Sequence, residues 1–224
     1  MKNKTVFITG TSSGIGRETA FKFASAGASL VLTCHKKKKE GEKTQRQCLE
    51  LGAEDTLLLH LDVMNDKSIF DAIKQTRKKY GGIDILINNA GTGIVKPFED
   101  NSAEEIEQQL RTNLEGLIKV THAFIPHVRE AIINVGSFLS KNAFPDMAVY
   151  CASKFGVRGF TQSLAEELPD LRICCVNPDL TATPLTGNEG RPPELVADII
   201  FKVAAHKIRV KRGGDVDVWE VLKK

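Results

Sequence analysis

Tyr150 and Lys154 stand one helical turn apart in the stretch AVYCASKFG, with Cys151, Ala152 and Ser153 between them. At i and i+4 a phenol and an ammonium share one helix face. A free phenol keeps its proton up to about pH 10, so a tyrosine that trades protons near neutrality needs a positive charge beside it. A unit charge roughly 4 Å away is worth about 1 kcal/mol in water and about 4 kcal/mol at an effective dielectric near 20. Lowering the phenol by about three pKa units takes roughly 4 kcal/mol. The pair therefore predicts acid/base chemistry only where water is partly excluded; on an open helix face it would be an ordinary surface pair.

A second chemical signal lies near the start. TGTSSGIG places Gly10, Gly14 and Gly16 between an apolar run and the first helical stretch. Glycines there permit a tight bend, and the helix N-terminus turns free N–H groups and positive dipole toward a pyrophosphate. A dinucleotide site of this kind carries an acid about 20 residues on, for the ribose 2′-hydroxyl of NAD. Cys34 stands in its place, followed by His35, Lys36 and Lys37. A basic cluster suits a 2′-phosphate, so the expected cofactor is NADP. Lys38 and Lys39 read as the solvated start of the next helix.

These residues need elements to hold them. Apolar, β-branched runs predict strands at TVFIT, SLVLTC, TLLLHLDV, DILINNA, AIINVG, RICCVN and a late VDVWEV. Helical patterns fall between them at residues 15–25, 38–51, 66–80, 103–128, 150–168 and 193–206. Continuously apolar strands alternating with helices predict one α/β domain over residues 1–224, a doubly wound parallel sheet with helices on both faces, the Rossmann fold. Ligands of such sheets sit at the carboxyl ends of the strands.

Composition excludes several alternatives. Thirty-one basic against 28 acidic residues give a net charge of +3, too mild for a nucleic-acid binder. No apolar stretch approaches a membrane span, and the first apolar run starts at residue 5, leaving no room for a cleaved signal. Five cysteines without metal spacing argue against a disulfide framework or a metal site and for a reducing cytoplasm.

With the glycine turn at 10–16 and YCASK at 150–154, the chain resembles the short-chain dehydrogenase/reductase family, and intermediate motifs agree in order over about residues 4 to 206. The resemblance implies that Gly10, Ser12, Ser13, Gly14, Ile15 and Gly16 cradle the cofactor. It implies that Asp62, with Val63 in LDV, reaches the adenine amino group, and that Asn89, Ala90 and Gly91 of NNAG border the cofactor. Asn113 in RTNLEG, Ser137 in INVGS, Tyr150 and Lys154 match the family's catalytic Asn, Ser, Tyr and Lys. By that comparison Tyr150 is the general acid/base for hydride transfer between nicotinamide and a small carbonyl or alcohol. Lys154 would lower the tyrosine's pKa and hold the nicotinamide ribose, Ser137 would bind the substrate oxygen, and Asn113 would support a bent helix and a water relay. Homologues associate through helices like 103–128 and 150–168, so a homodimer or homotetramer is expected.

One departure stands out. Where the family reads Asn-Pro-Gly, this chain has Asn177, Pro178 and Asp179, with Thr183 at the position of the family threonine; Pro178 and Thr183 are expected at the nicotinamide amide. The Asp179 carboxylate either faces the cofactor, where it would favour oxidised nicotinamide, or turns to solvent or caps a turn. Residues 180–191 make a short substrate lid, with Phe138, Leu139, Phe144, Leu180 and Leu185 as apolar lining. An alternative is a catalytically impaired nucleotide-sensing regulator that binds NADP(H). A sugar-nucleotide epimerase or dehydratase is disfavoured by the glycine spacing.

Overall fold

In the computed structural model, which describes residues 1–223, the apolar runs become strands β1 (Thr5–Ile8), β2 (Ser29–Cys34), β3 (Asp55–His60), β4 (Ile83–Asn88), β5 (Val128–Val135), β6 (Arg172–Asn177) and β7 (Asp215–Asp217). They form one seven-stranded sheet in the order β3-β2-β1-β4-β5-β6-β7, and every pairing is parallel. The helices are α1 (Gly14–Ser25), α2 (Lys38–Glu50), α3 (Asp66–Tyr80), α4 (Ala103–Leu110), α5 (Gly116–Phe124), α6 (Ala148–Glu167), α7 (Pro193–Ala204) and α8 (Val218–Val221). The order of strands reverses between β1 and β4, the crevice where such sheets bind ligands.

Alternation within the strands builds two cores. Val6 and Ile8 point to one face, where Phe23, Leu30, Leu32, Ile85, Ile87, Ile199 and Ile200 join them under α1 and α7. Phe7 points to the other, with Val31, Ile69, Leu86, Phe124, Ile132 and Leu164 under α3, α5 and α6. Because both faces are covered, β2 and β4 are buried at every residue, which is why their sequences show no polar alternation. Helix ends carry their own signals: Asn65 accepts the Ser68 amide at the start of α3, and Gly81 closes that helix at φ 72°.

The structure differs from the sequence expectations at three boundaries. The stretch 103–128 is not one helix: a π-turn over Arg111–Glu115 widens it after α4, α5 stops at Phe124, and β5 begins at Val128, before the expected Ala131. Pro126 lies in a short 3₁₀ turn, where its ring and missing N–H end the helix. LDV lies past β3, in the turn before α3, because Asp62 accepts the Met64 amide and its own amide donates to Ser68. VDVWEV yields only the end of β7 before turning into α8.

Candidate active site

The turn after β1 is drawn tight by side chains from two neighbouring strands. The Gly10 amide donates to Thr33 Oγ1 at 3.0 Å, and the Asn89 side chain donates to the Thr9 and Gly10 carbonyls at 2.9 and 3.1 Å. Gly10 and Gly14 have φ of 71° and 56°, in the left-handed region open to glycine. A Cβ at Gly16 would collide with the Gly10 carbonyl oxygen and the Asn89 amide, so α1 can lie this close only without a side chain there. Ser13 starts α1 without a side-chain cap, which leaves the first-turn amides free of that partner. Ala90 also donates to Thr9 Oγ1, at 2.8 Å, locking the carboxyl ends of β1 and β4 together.

At the ends of β2 and β3 the groups are charged and open. Cys34 is 3% exposed and packs toward Gly41 of α2. The first side chain free to face outward is therefore His35, whose Nε2 lies 3.6 Å from Asp62 Oδ2. Lys36 is exposed beside it, and Val63 is buried in the core below the turn.

The ends of β5 and α6 bring the tyrosine and its companions together in dry surroundings. Tyr150 is 9% exposed and packs with Leu139, Cys151 and Met147. Burial pushes its phenol above the ordinary value, and the neighbouring Ser137 hydroxyl pulls it back less strongly. Lys154, 5% exposed, is brought down to about 8 by burial. Its Nζ donates to the Val135 carbonyl at 2.9 Å and lies 5.8 Å from the Tyr150 ring centre. Burial thus leads the shift of the phenol, and the Lys154 ammonium spends one hydrogen bond on the backbone of β5. Asn113 sits buried in the π-turn; its Nδ2 donates to the Thr92 carbonyl and to Ser153 Oγ, and the Thr92 amide donates to its Oδ1. That amide ties the loop after β4 to α6. Gly91 faces the same point, since a Cβ there would lie 3.3 Å from Asn113 Oδ1 and 3.9 Å from Lys154 Nζ.

Residues 4–194 match the family described as short chain dehydrogenase. The chain belongs to the short-chain dehydrogenase/reductase family. It is 34% identical over 188 residues to mouse dehydrogenase/reductase SDR family member 7; the match takes in 80% of this chain but 55% of that protein, so the chain spans about half the length of this relative. To the NADP-dependent 3-hydroxy acid dehydrogenase of Schizosaccharomyces pombe it is 30% identical over 209 residues, 90% of this chain and 81% of that one. An alcohol dehydrogenase from Thermococcus sibiricus, solved with 5-hydroxy-NADP, superposes with a TM-score of 0.87 at 25% identity, covering 96% of this chain and 95% of the other. Among the described residues no helix is long and apolar enough to cross a membrane, and no cluster of metal-ligating side chains occurs.

Against the short-chain dehydrogenase/reductase pattern, Asp179 resolves into neither of its two expected settings alone. Its Oδ2 accepts from Arg191 Nε at 2.6 Å, while Oδ1 is buried without a hydrogen-bond partner. The carboxylate is thus paired with Arg191 through one oxygen only. The same ion pair closes the base of the 180–191 loop, where the Arg191 amide donates to Leu180 and Ala182 donates back to Arg191. Thr186 Oγ1 lies within hydrogen-bond distance of the Thr181, Thr183 and Glu189 carbonyls, and Thr183 leans on Gly14. Pro178 is engaged through its carbonyl, which accepts the Phe138 amide next to Ser137. Of the expected apolar lining, Phe138, Phe144, Leu180 and Leu185 are exposed, whereas Leu139 is buried against Tyr150.

Beyond Asn88, the first residue of NNAG, the residues that support the site gave no signal in the sequence. Asn88 donates to Thr121 Oγ1 and Asn134 Oδ1, and Asn134 donates to Thr161, a buried polar ladder beneath the site. Trp219, 82 residues after Ser137, stacks edge-on to Phe138 with centroids 5.1 Å apart. Their partners are far apart in the chain, so only a polar residue inside an apolar strand could have drawn attention to Asn134.

Proposed function

We propose that this protein is an NADP-dependent oxidoreductase that interconverts a small carbonyl and its alcohol. The observation that carries the reading is the convergence of half-buried Ser137 with buried Tyr150 and Lys154 at the carboxyl ends of the strands that also hold the glycine turn. The donor set fits a dinucleotide phosphate: the amides opening α1, the Ser12 and Ser13 hydroxyls, and His35 with Lys36 at the adenosine end. Gly10, Gly14, Ile15 and Gly16 shape the pyrophosphate turn; Asp62 and Val63 border the adenine, and Asn89, Ala90 and Gly91 form the floor. Pro178 and Thr183 would face the nicotinamide amide. A bound NADP supplies or accepts the hydride.

Tyr150 passes its phenolic proton to the substrate oxygen during reduction and takes it back during oxidation. Ser137 donates to that oxygen and steadies the charge that develops on it. Lys154 holds ribose hydroxyls and, as a cation in a low-dielectric site, stabilises the phenolate at the moment it forms. Asn113 is a positioning residue that acts through Thr92 and Ser153. The 180–191 segment is the substrate loop of a single domain, and its exposed Leu180 and Leu185 suit a small, partly apolar substrate. The name of the fission-yeast relative supports a hydroxy acid as the first class to assay. Exposed Leu110 on α4 and Phe155 on α6 support a homodimer or homotetramer built on those helices, and the five free thiols support a cytoplasmic location. Since Arg191 holds Asp179, nothing favours the non-catalytic regulator. Following NADPH oxidation against a panel of aldehydes, ketones and keto acids tests the reading; no turnover with any class would reject it.

A further inference from the structure

We propose that Trp219 is a positioning residue for the reaction: by holding both ends of the turn after β5, it aims the Ser137 hydroxyl at the substrate oxygen. This rests on the carbonyl and alcohol reading above and deepens it. The turn has a fixed side and a loose one. Ser137 caps the 3₁₀ turn Phe138–Ser140; its amide donates to Ser140 Oγ at 2.9 Å, and its own Oγ accepts the Leu139 amide at 3.1 Å. That bond occupies a lone pair and leaves the hydroxyl proton to donate elsewhere, so the direction of the donor follows the orientation of the turn. Inward, Leu139 is buried against Tyr150, and Ser140 is buried as well. Outward, the side chains of Phe138 and Lys141 are exposed, and packing against the core does not fix them.

Trp219 meets the loose side at two points. Its ring stands edge-on to Phe138 with centroids 5.1 Å apart, and Lys141 Nζ lies 5.4 Å from its centre. Phe138 and Lys141 flank Leu139 and Ser140, so one indole spans the turn from end to end. The indole is itself braced from the sheet. Helix α8 has four residues, too few to hold a helical turn unaided, but Val218 is fully buried and Asp217 pairs with Asn177 at the end of β6. Asn177 Nδ2 donates to Asp217 Oδ1 at 3.1 Å and to Asp215 Oδ1 at 3.2 Å. Arg158 Nε on α6 donates to Asp215 Oδ2 at 2.7 Å, and Lys141 forms an ion pair with Asp217. A polar chain thus runs from α6 through β7 to the turn, and Trp219 closes it on the apolar side. The ring is only half-buried, so it adds little to the core; what it grips is the turn that carries Ser137.

The test is a double-mutant cycle on the full chain, read as the single-turnover rate of NADPH oxidation with the fastest carbonyl of the panel described above, the enzyme in excess so that slow variants stay measurable. Trp219→Ala should lower this rate about tenfold, the scale of a small misplacement of a reacting group, with NADPH affinity unchanged. Trp219→Phe, which keeps an aromatic edge for Phe138, should recover the rate to within about threefold of wild type. In a Ser137→Ala background, Trp219→Ala should cost less than about twofold, because the hydroxyl it aims is gone. A tenfold loss in both backgrounds, or none in the first, would overturn the positioning role. If Trp219→Ala does not fold, Lys141→Gln takes its place: a loss of about threefold that vanishes with Ser137→Ala supports the proposal, and equal rates or equal losses in the two backgrounds overturn it. One readout needs no turnover. Trp219 is the sole tryptophan, so Phe138→Ala should redden its emission, and an unchanged spectrum would mean that the stack does not hold the ring. Absence of turnover by the wild type with every carbonyl would overturn the oxidoreductase reading and this proposal together, whereas an additive cycle in an active enzyme would remove only the role of Trp219.

Discussion

Tyr150 and Lys154 at one end of the strand-end crevice are all but sealed from water, whereas His35 and Lys36 at the other stand largely in it. Burial at the first end moves both titrating groups from their ordinary values, the phenol up and the ammonium down to about 8. At the second end the charges meet solvent and salt, and their interactions are screened over about 8 to 10 Å at ordinary ionic strength. Under the function proposed above the contrast divides labour: strong, unscreened electrostatics fall where a bond would change, and weaker, tunable electrostatics where a cofactor would be recognised and released.

The sharpest way to break this comparison is at the sealed end. Tyr150→Phe should retain fold and cofactor binding while turnover falls by about two to four orders of magnitude, the scale of positioned acid/base catalysis. Near-normal turnover in the folded variant would remove the tyrosine from the chemistry. The size of this defect should not change with salt.

Stability against pH probes the same pocket. Unfolded lysine keeps its proton to about 10.5, but folded Lys154 releases it near 8, so between those values the unfolded chain binds more protons and the lysine's contribution to stability rises with pH. The full span is about 3 kcal/mol. Buried Cys48, Cys174 and Cys175, each pushed up to about 12, act in the opposite sense above the ordinary thiol pKa. The lysine is therefore isolated by difference: on moving from about pH 7.5 to 9.5, Lys154→Met should lose more stability in urea unfolding than wild type. Equal losses would mean that Lys154 is not desolvated as described.

At the open end, NADPH should bind about 10- to 150-fold more tightly than NADH at low salt, the worth of a charge-assisted hydrogen bond. Added salt and Lys36→Asp should each erode that advantage; equal affinities at low salt would contradict the division drawn above. The smallest effect belongs to Asp179. Because Arg191 already neutralises it, Asp179→Gly should change the NADP⁺ to NADPH affinity ratio by less than about threefold. A double-mutant cycle with Arg191→Ala should give a coupling of about 1 kcal/mol or less for this partly exposed pair. A large shift in the ratio would show the carboxylate acting on the nicotinamide alone.

What could be read from the sequence follows from how local each signal is. The buried strands, the glycine turn and the Tyr150–Lys154 spacing all lie within short windows, and the structure places them as expected. The acceptor of Lys154 is a backbone carbonyl 19 residues away, and the partner of Asp179 lies 12 residues on, so side-chain type alone could not reveal either. Around Asn113 the family resemblance implied a bent helix, but the π-turn that makes the bend carries no glycine, proline or cap of its own to mark it in the sequence. Cys34 was assigned by its place in the sequence rather than its direction, and the strand pleat turned it inward.

The loop at 180–191 already satisfies much of its backbone through Thr186 and through the bonds at its base, before any substrate arrives. A segment that keeps its own shape surrenders little conformational freedom when a ligand docks beneath it, so less of the contact energy is consumed in ordering the chain. The amides of Ala182, Thr186, Asn188 and Arg191, each bonded within the loop, should then exchange slowly with deuterium in the free protein, and added substrate should slow them little further.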